Sequence, residues 1–161
     1  MKSKIFSIGL LDKFHLYIPN AIFQPFADLK LNRVKITARF KERSIDFYAT
    51  LKKDKSSDAY RMMFGKRLQK ELGVVLNDYF EMQLFKDTSK YGVEMPEELD
   101  AVLLSDYDAY KIFESLTPGK KRSIIYVIIR IKNSQSRIDK SLLLCENLKR
   151  GITNPMDLFK N

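Results

Sequence analysis

The chain of 161 residues is short of the side chains on which most catalytic and metal sites depend. It has one cysteine, one histidine and no tryptophan. The single cysteine, Cys145, excludes an internal disulfide and any zinc site built from several cysteines. It follows the apolar residues 142–144, so we expect a buried thiol rather than a reactive one. The six glycines are widely scattered, so a glycine-rich loop for phosphate binding is missing as well.

Long hydrophobic runs are also missing. Asp12 and Lys13 end the first apolar run, residues 5–11, and no small-residue cleavage site follows it. The run over residues 124–129 stops at Arg130, far short of the ~20 residues that a bilayer span requires. We therefore expect neither a signal peptide nor a membrane span, and a cytoplasmic location.

Apolar residues and positive charge are plentiful. Apolar side chains make up 45% of the chain, which is enough for a real core and argues against disorder. The net charge is +9, yet residues 97–114 hold six acids against one base and residues 120–150 hold nine bases against two acids. Either neighbouring elements attract each other, which is the simpler explanation, or a basic surface attracts a polyanion.

The apolar pattern of the first half repeats after 46 residues, with almost no residue identity. The pattern pairs Phe14 with Tyr60, Leu16 with Met62, Ile18 with Phe64, Ile22 with Leu68, Phe26 with Leu72, Leu29 with Val75, and Val34, Ile36 and Ala38 with Phe80, Met82 and Leu84. The spacing is two, then roughly four, then two again, which predicts strand, helix, strand in each repeat. Two such repeats across a pseudo-two-fold axis would close a small β-barrel.

Local signals agree with this division of the first half. Pro19 suits a helix start, Gly73 suits a helix end, and Asn77 suits a tight turn. Between the repeats, the apolar residues of 45–51 alternate as a further strand, and residues 52–57 read as its polar turn.

The second half reads as helices. Starts are indicated at Pro96, at Ser105 or Asp106, at Thr117 and at Asn133 or Ser134. Residues 124–129 are rich in β-branched side chains, so propensity alone favours a strand there. The start signal and the segment length favour a helix, and we predict a helix.

Two segments resemble a known family. Residues 90–99, KYGVEMPEEL, and residues 116–126, LTPGKKRSIIY, are similar to the second half of the YdeI/OmpD-associated family, whose members are described as bacteriocin-protection proteins. The resemblance implies a helix after Thr117. It also implies an N-terminal domain of unknown function with a double-split barrel, related in shape to AbrB-type DNA-binding barrels. We therefore expect an α+β fold with an AbrB-like barrel over residues 1–95 and a helical bundle over residues 96–161.

The resemblance also draws attention to the turn before the last predicted helix. The family commonly carries Lys and, a few residues later, Glu-Thr-Arg. Lys132 and Arg137 fill the basic positions here, whereas Gln135 and Ser136 replace Glu-Thr. We expect Arg137 to hold the preceding helix end or an acid from residues 97–114, with anion binding as the alternative.

The sequence offers few side chains that could serve as catalytic groups. His15 is the only histidine, and Asp12 is the only partner that its sequence neighbourhood offers. We expect a non-catalytic protein without a metal or cofactor. The enzyme hypothesis would fail if His15 were buried away from any cleft.

Polyanion binding has the best physical case. In the strand predicted over residues 33–41, every second residue is apolar and points inward. The residues between them, which include Arg33, Lys35, Arg39 and Lys41, then lie on the outer face. Arg43 continues the row, and three further lysines lie in the turn 52–57. Such a row suits a phosphate backbone, although a solvated strand face that resists edge pairing has the same pattern.

The leading hypothesis is therefore a protection or stress protein that binds a macromolecule, with nucleic acid as the first partner to test. The second is a small-molecule or peptide binder, whose anion site between barrel and bundle would use Lys66, Arg67, Lys132 and Arg137. A protein–protein module is a further possibility, and the sequence leaves the oligomeric state open.

Overall fold

The computed structural model describes all 161 residues, and the chain divides into two compact units. Unit 1 comprises Met1–Thr88 and unit 2 comprises Ser89–Asn161. Each unit has its own cluster of buried apolar side chains. The boundary predicted between residues 95 and 96 lies in the loop of unit 2 that precedes its first helix.

Unit 1 contains seven strands and two helices. They are β1 (Phe6–Gly9), β2 (His15–Pro19), α1 (Asn20–Asp28), β3 (Arg33–Phe40), β4 (Arg43–Thr50), β5 (Lys52–Lys53), β6 (Ala59–Met63), α2 (Lys66–Leu72) and β7 (Tyr79–Lys86). The strands form two antiparallel sheets, one in the order β1-β7-β3-β4 and one in the order β2-β6-β5. The ladders do not join into one closed barrel.

The elements of unit 1 recur after 46 residues. Strands β3 and β7 both have eight residues and begin at Arg33 and Tyr79, and helices α1 and α2 begin at Asn20 and Lys66. The strand–helix–strand order predicted for each repeat is thus correct. The pairing between repeats is itself symmetric, since β2 and β6 pair with each other and so do β3 and β7.

The core of unit 1 lies behind the ladder between β3 and β7. Val34, Ile36 and Ala38 are fully buried on β3, and Met82 and Leu84 are buried opposite them on β7. The equivalent burial of Ile36 and Met82 agrees with the repeat. Burying a side chain of this size stabilises the fold by about 1.5–3 kcal/mol, so the alternation on these strands fixes which face is inside.

Two short strands of unit 1 differ from the prediction. Strand β1 has no counterpart in the prediction, because only Phe6 and Ile8 alternate in it before the pattern ends at Gly9. Strand β5 takes Lys52 and Lys53 from the segment predicted as a turn. Strand β1 pairs with the distant β7, whereas β5 forms a short hairpin with β6, and it is these ladder hydrogen bonds that make both segments strands.

Unit 2 contains the four predicted helices. They are α3 (Glu97–Ser105), α4 (Tyr107–Ser115), α5 (Pro118–Arg130) and α6 (Ser134–Lys149). Side chains cap three of them, because Asp106, Thr117 and Asn133 accept hydrogen bonds from backbone N–H groups in the first turns of α4, α5 and α6. None of the helices combines the length and apolar character that crossing a bilayer demands.

Helix α5 resolves the conflict between propensity and capping. Ile124, Ile125 and Ile128 are fully buried on one side of it. Their spacing places them on one helical face, and burial there outweighs the β-propensity of isoleucine. Cys145 on α6 is buried in the same core, and burial raises the pKa of its thiol to about 11. The expectation of a buried thiol is confirmed.

One residue after each of α1 and α2 has a left-handed backbone conformation, and comparing the two residues tests the cost of backbone strain in unit 1. Gly73 has φ +82° and Lys30 has φ +59°. A left-handed conformation costs a residue with a Cβ about 1–2 kcal/mol, whereas glycine adopts it freely. We therefore expect Gly73→Ala to lower the free energy of unfolding by about 1–2 kcal/mol and Lys30→Gly to raise it slightly. Urea denaturation measures both, and equal effects of the same sign would contradict this explanation.

Candidate anion-binding site

The predicted basic row lies on the outer face of the first sheet. Arg33 and Lys35 are half-buried, while Arg39 and Lys41 are exposed. Lys41 lies beyond the end of β3, in the turn to β4, with φ +54° and its ammonium 5.2 Å from the centre of the Phe40 ring. Three members of the row therefore belong to the strand and the fourth to its turn.

Acidic side chains interrupt the positive charge of this row. Thr37 donates its hydroxyl to Asp46 on β4 at 2.7 Å, and Glu81 on β7 lies opposite Arg39. At the start of the strand, Arg33 donates to the hydroxyl of Thr50 at 3.2 Å. The row alone is thus a mixed surface, and its Arg33 end adjoins further cations.

A concave surface of unit 1 begins at that end. This basic cleft has a volume of about 610 Å³ and is lined by His15, Arg33, Tyr48, Ala49, Thr50, Lys52, Arg61, Met62, Met63, Gly65 and Leu68. Three of these side chains are cationic, and none is a carboxylate. The cleft brings together residues of β2, β3, β4 and the β5–β6 pair.

Two of the cations are direct neighbours across strands. Lys52 and Arg61 face each other in the ladder between β5 and β6, where opposed Cβ atoms are about 4.5–5.5 Å apart. Like charges at that distance destabilise a sheet. Neither side chain makes an ion pair within 4 Å, although Arg61 helps to hold the pKa of Asp54 low, after the larger contribution of the hydrogen bond from Ser57. An anion bound here would relieve the repulsion.

His15 lines the same cleft and is 30% exposed. Its Nδ1 lies 2.9 Å from Oδ2 of Asp12, the partner expected from the sequence. The same carboxylate oxygen accepts the backbone N–H groups of Phe14 and His15, and the hydrogen bond with the imidazole is the largest cause of the lowered pKa of Asp12. Asp12 thereby orients the ring at the start of β2. Because His15 lines a cleft and is not buried away from one, its position does not refute the enzyme hypothesis.

The second predicted anion set is divided between the units. In unit 1, Arg67 donates to Glu71 at 2.9 Å, and the Lys66 ammonium lies 5.9 Å from the centre of the Phe14 ring. In unit 2, Lys132 is exposed in the turn between α5 and α6, whereas Arg137 is engaged. Each guanidinium of this set therefore already has partners within its own unit.

Arg137 closes the end of α5, as expected. Its Nε donates to the carbonyl of Ile131 at 2.6 Å and its Nη2 to that of Ile129 at 3.0 Å. Its Nη1 lies 3.4 Å from a carboxylate oxygen of Glu98. The structural role predicted for this residue is confirmed, with both the helix end and the acid as partners.

The acidic and basic stretches of unit 2 pair with each other. Besides Glu98 with Arg137, Asp106 accepts from Lys149 at 2.8 Å, and this hydrogen bond is the largest cause of the lowered pKa of Asp106. Electrostatic attraction between neighbouring elements therefore accounts for part of the uneven charge in this half of the chain.

Glu114 joins the two segments that carry the family resemblance. Tyr91 donates its hydroxyl to Glu114 at 2.5 Å, and the ammonium groups of Lys90 and Lys121 lie 3.5 Å and 3.9 Å from the other carboxylate oxygen. Burial, followed by the bond to Glu114, raises the pKa of Tyr91 to about 12. Lys90 and Tyr91 of the first segment and Lys121 of the second thus meet at one carboxylate. No group of three or more His, Cys, Asp or Glu side chains is placed to hold a metal ion.

Part of this site is beyond the reach of sequence reasoning. The sequence pattern assigns neither Arg61 nor His15 to a basic surface, and it places Lys52 only in a neighbouring turn. The register of β2, β6 and β5 brings the three together, and periodicity within one segment carries no information about that register.

The contacts of Arg137 predict a measurable loss of stability. A lysine cannot satisfy two carbonyls and a carboxylate with fixed planar geometry, so we expect Arg137→Lys to lower the free energy of unfolding of unit 2 by about 1–3 kcal/mol. Arg130→Lys is the matched control, since Arg130 is exposed and makes no such contacts. Urea denaturation followed by helical circular dichroism compares the two variants, and equal midpoints would contradict this role.

The raised pKa of Tyr91 predicts a loss of stability in alkali. A tyrosine with a raised pKa contributes its full stability below the unfolded value near 10, and loses it as the pH rises towards 12. The difference in unfolding free energy between the wild type and Tyr91→Phe should therefore shrink between pH 10 and pH 12. Denaturant titrations across that range measure it, with Tyr107→Phe, an exposed site, as the control. A difference that stays constant would contradict the assignment.

Comparison with known proteins addresses the second half of the chain. Among curated proteins, none matches this sequence. The model of one family, described as Bacteriocin-protection, YdeI or OmpD-Associated, matches residues 92–151. The match covers α3 to α6 with their caps, Arg137 and Glu114. The resemblance noted in the sequence is therefore confirmed, and the helices of unit 2 carry the features of the bacteriocin-protection, YdeI or OmpD-associated family.

Proposed function

We propose that this protein binds a polyanion, with nucleic acid as the polymer, and that it does so without catalysis in the cytoplasm as a protection or stress protein. The proposed contact surface is the basic cleft of unit 1 together with the row Arg33, Lys35, Arg39 and Lys41. The observation that carries the proposal is the composition of the cleft, which has three cationic side chains and no carboxylate.

The distribution of charge supports unit 1 as the binding unit. Residues 1–88 contain seventeen lysines and arginines against ten acids, which is +7 of the total of +9. Charge of one sign concentrated at a concave surface raises the local concentration of ligands of the opposite sign. The bases of unit 2 are different, because several of them are already paired with its own acids.

The cleft and the strand row share Arg33, so cations extend from the cleft along β3, with Asp46 and Glu81 between some of them. From Arg33, the eight residues of β3 extend for about 26 Å at roughly 3.3 Å per residue. A path of that length passes several phosphates of a nucleic acid, whereas a single small anion needs only the cleft. The length of the path favours a polymer over a small ligand.

We also infer that unit 1 is a pseudo-two-fold barrel of the AbrB-like double-split type and that unit 2 is a helical bundle. The recurrence of elements after 46 residues and the symmetric ladders between the repeats support the first inference. Shared shape with DNA-binding barrels does not establish shared function, so the proposal depends on the residues of the cleft.

Fluorescence anisotropy with labelled duplex DNA, single-stranded DNA and RNA, each titrated at several salt concentrations, tests the proposal. We expect binding that weakens with salt, and charge reversal of Arg33, Lys35, Arg39 and Lys41 should abolish it. Lys52→Gln with Arg61→Gln should reduce the slope of log K against log salt by about 0.7 for each phosphate of a single strand that is no longer neutralised. Lys4→Gln with Lys70→Gln, two exposed lysines outside the cleft, gives the same change in net charge as a control.

Three outcomes decide between the hypotheses. Absence of binding at low salt would refute nucleic-acid binding. Equal effects of the cleft and control variants would refute the cleft as the contact surface. Binding of mononucleotides as tightly as of polymers would favour the small-molecule alternative, since a cleft of this volume accommodates such a ligand.

A further inference from the structure

The outer face of the second sheet has a row of three side chains that leads into the basic cleft. Tyr17 on β2 lies opposite Arg61 on β6, and Arg61 lies opposite Lys52 on β5. Residues opposite each other across antiparallel strands share a face, with Cβ atoms about 4.5–5.5 Å apart. Tyr17, Arg61 and Lys52, which we call the transverse row, therefore form a continuous surface across all three strands.

The transverse row is on the outside of the sheet. Its strand neighbours Leu16, Ile18 and Met62 point the other way and are buried in the core of unit 1. Tyr17 is 40% exposed although it lies in the middle of a strand, and its hydroxyl makes no hydrogen bond within the protein. An aromatic ring is thus presented to solvent directly beside a guanidinium.

A second apolar side chain extends this surface. Met63 is 61% exposed and lies opposite His15 in the same ladder, two positions along from the pair formed by Tyr17 and Arg61. Both Met63 and His15 line the basic cleft. The outer face of the sheet therefore combines apolar, planar and cationic side chains within two adjacent rows.

We propose that this face, the transverse row with Met63 and His15, binds single-stranded nucleic acid, with a base stacked on Tyr17 and the adjoining phosphates on Arg61 and Lys52. This inference rests on the proposed function and names the class of polymer. Base stacking on an aromatic side chain needs an exposed base face, which a single strand offers and a duplex hides within its own stack. Cations beside the ring then take the phosphates in a salt-dependent manner.

The charges that surround the row fit this occupant. The nearest acids in sequence lie outside the row, since Asp12 is bonded to His15, and Asp54 accepts the hydroxyls of Ser56 and Ser57 while its charge attracts Arg61. Lys53, the neighbour of Lys52, points away from the row and contacts Tyr60, Asn20 and Asp58. The row itself thus has two cations beside one aromatic ring, with the Asp54 carboxylate near Arg61 but outside the row.

Anisotropy titrations of the full chain with a 12-nucleotide oligo-dT, a 12-nucleotide oligo-U and a 12-base-pair duplex test this inference. The wild type should bind the single strands more tightly than the duplex. Tyr17→Leu should weaken single-strand binding about fivefold or more and leave duplex binding unchanged, because stacking contributes at least ~1 kcal/mol per base. Tyr17→Phe should retain the affinity, since the ring and not the hydroxyl makes the contact. Tyr107→Leu, at an exposed tyrosine of unit 2, is the matched control.

A second measurement does not depend on any variant. Ultraviolet crosslinking of the wild type to oligo-U that contains 4-thiouridine, followed by mass spectrometry, should place the crosslink on the peptide that contains Tyr17 or the one that contains Met63.

The failure of this inference can be told apart from the failure of the proposed function. If no polymer binds at low salt, the proposed function fails and this inference fails with it. If polymers bind in a salt-dependent manner but duplex and single strand bind equally, or Tyr17→Leu changes neither, only this inference is overturned. Crosslinks confined to unit 2 would overturn it as well.

Discussion

The pairing of β3 with β7 is the constraint on which unit 1 depends. Ile36 and Ala38 pair with Leu84 and Met82, and all four are buried on one side of the sheet. A shift of one residue would turn this apolar set outward and bring Lys35 and its charged neighbours into the core, at a cost that no surface contact offsets. The same register that builds the core therefore also fixes the cations of β3 on the outer face.

The sequence predicts the elements that depend on local chemistry. Thr117 with Pro118, and Gly73 after α2, specify helix ends through capping and a left-handed backbone, which are interactions within a few residues. The prediction of helix α5 is correct against the propensity of its isoleucines, because the cap and the segment length carry more information than the preference of single residues. The alternation on β3 indicates the faces of that strand for the same reason, since a strand has a period of two.

The candidate site can be predicted only in part, because it depends on which strands are neighbours. Alternation places Arg33 on an outer face, but it cannot place that residue in a cleft with Arg61 and His15, which come from β6 and β2. Lys52 reads as part of a turn, since two lysines have no apolar alternation and become a strand only through the ladder with β6. Information about such contacts lies in the pairing of distant segments and not in any one of them.

The uneven charge of the chain has a different physical basis in each unit. In unit 2 two acids before α5 form ion pairs with bases after it, Glu98 with Arg137 and Asp106 with Lys149, so part of the charge is compensated internally. In unit 1 the ladder between β5 and β6 holds Lys52 against Arg61 without an ion pair for either, although opposed like charges weaken a sheet. An anion held between these two cations would offset the repulsion, which is why this pair supports the proposed polyanion binding. For this reason the pair in the ladder, rather than the total charge of +9, is the stronger argument for a polyanion partner.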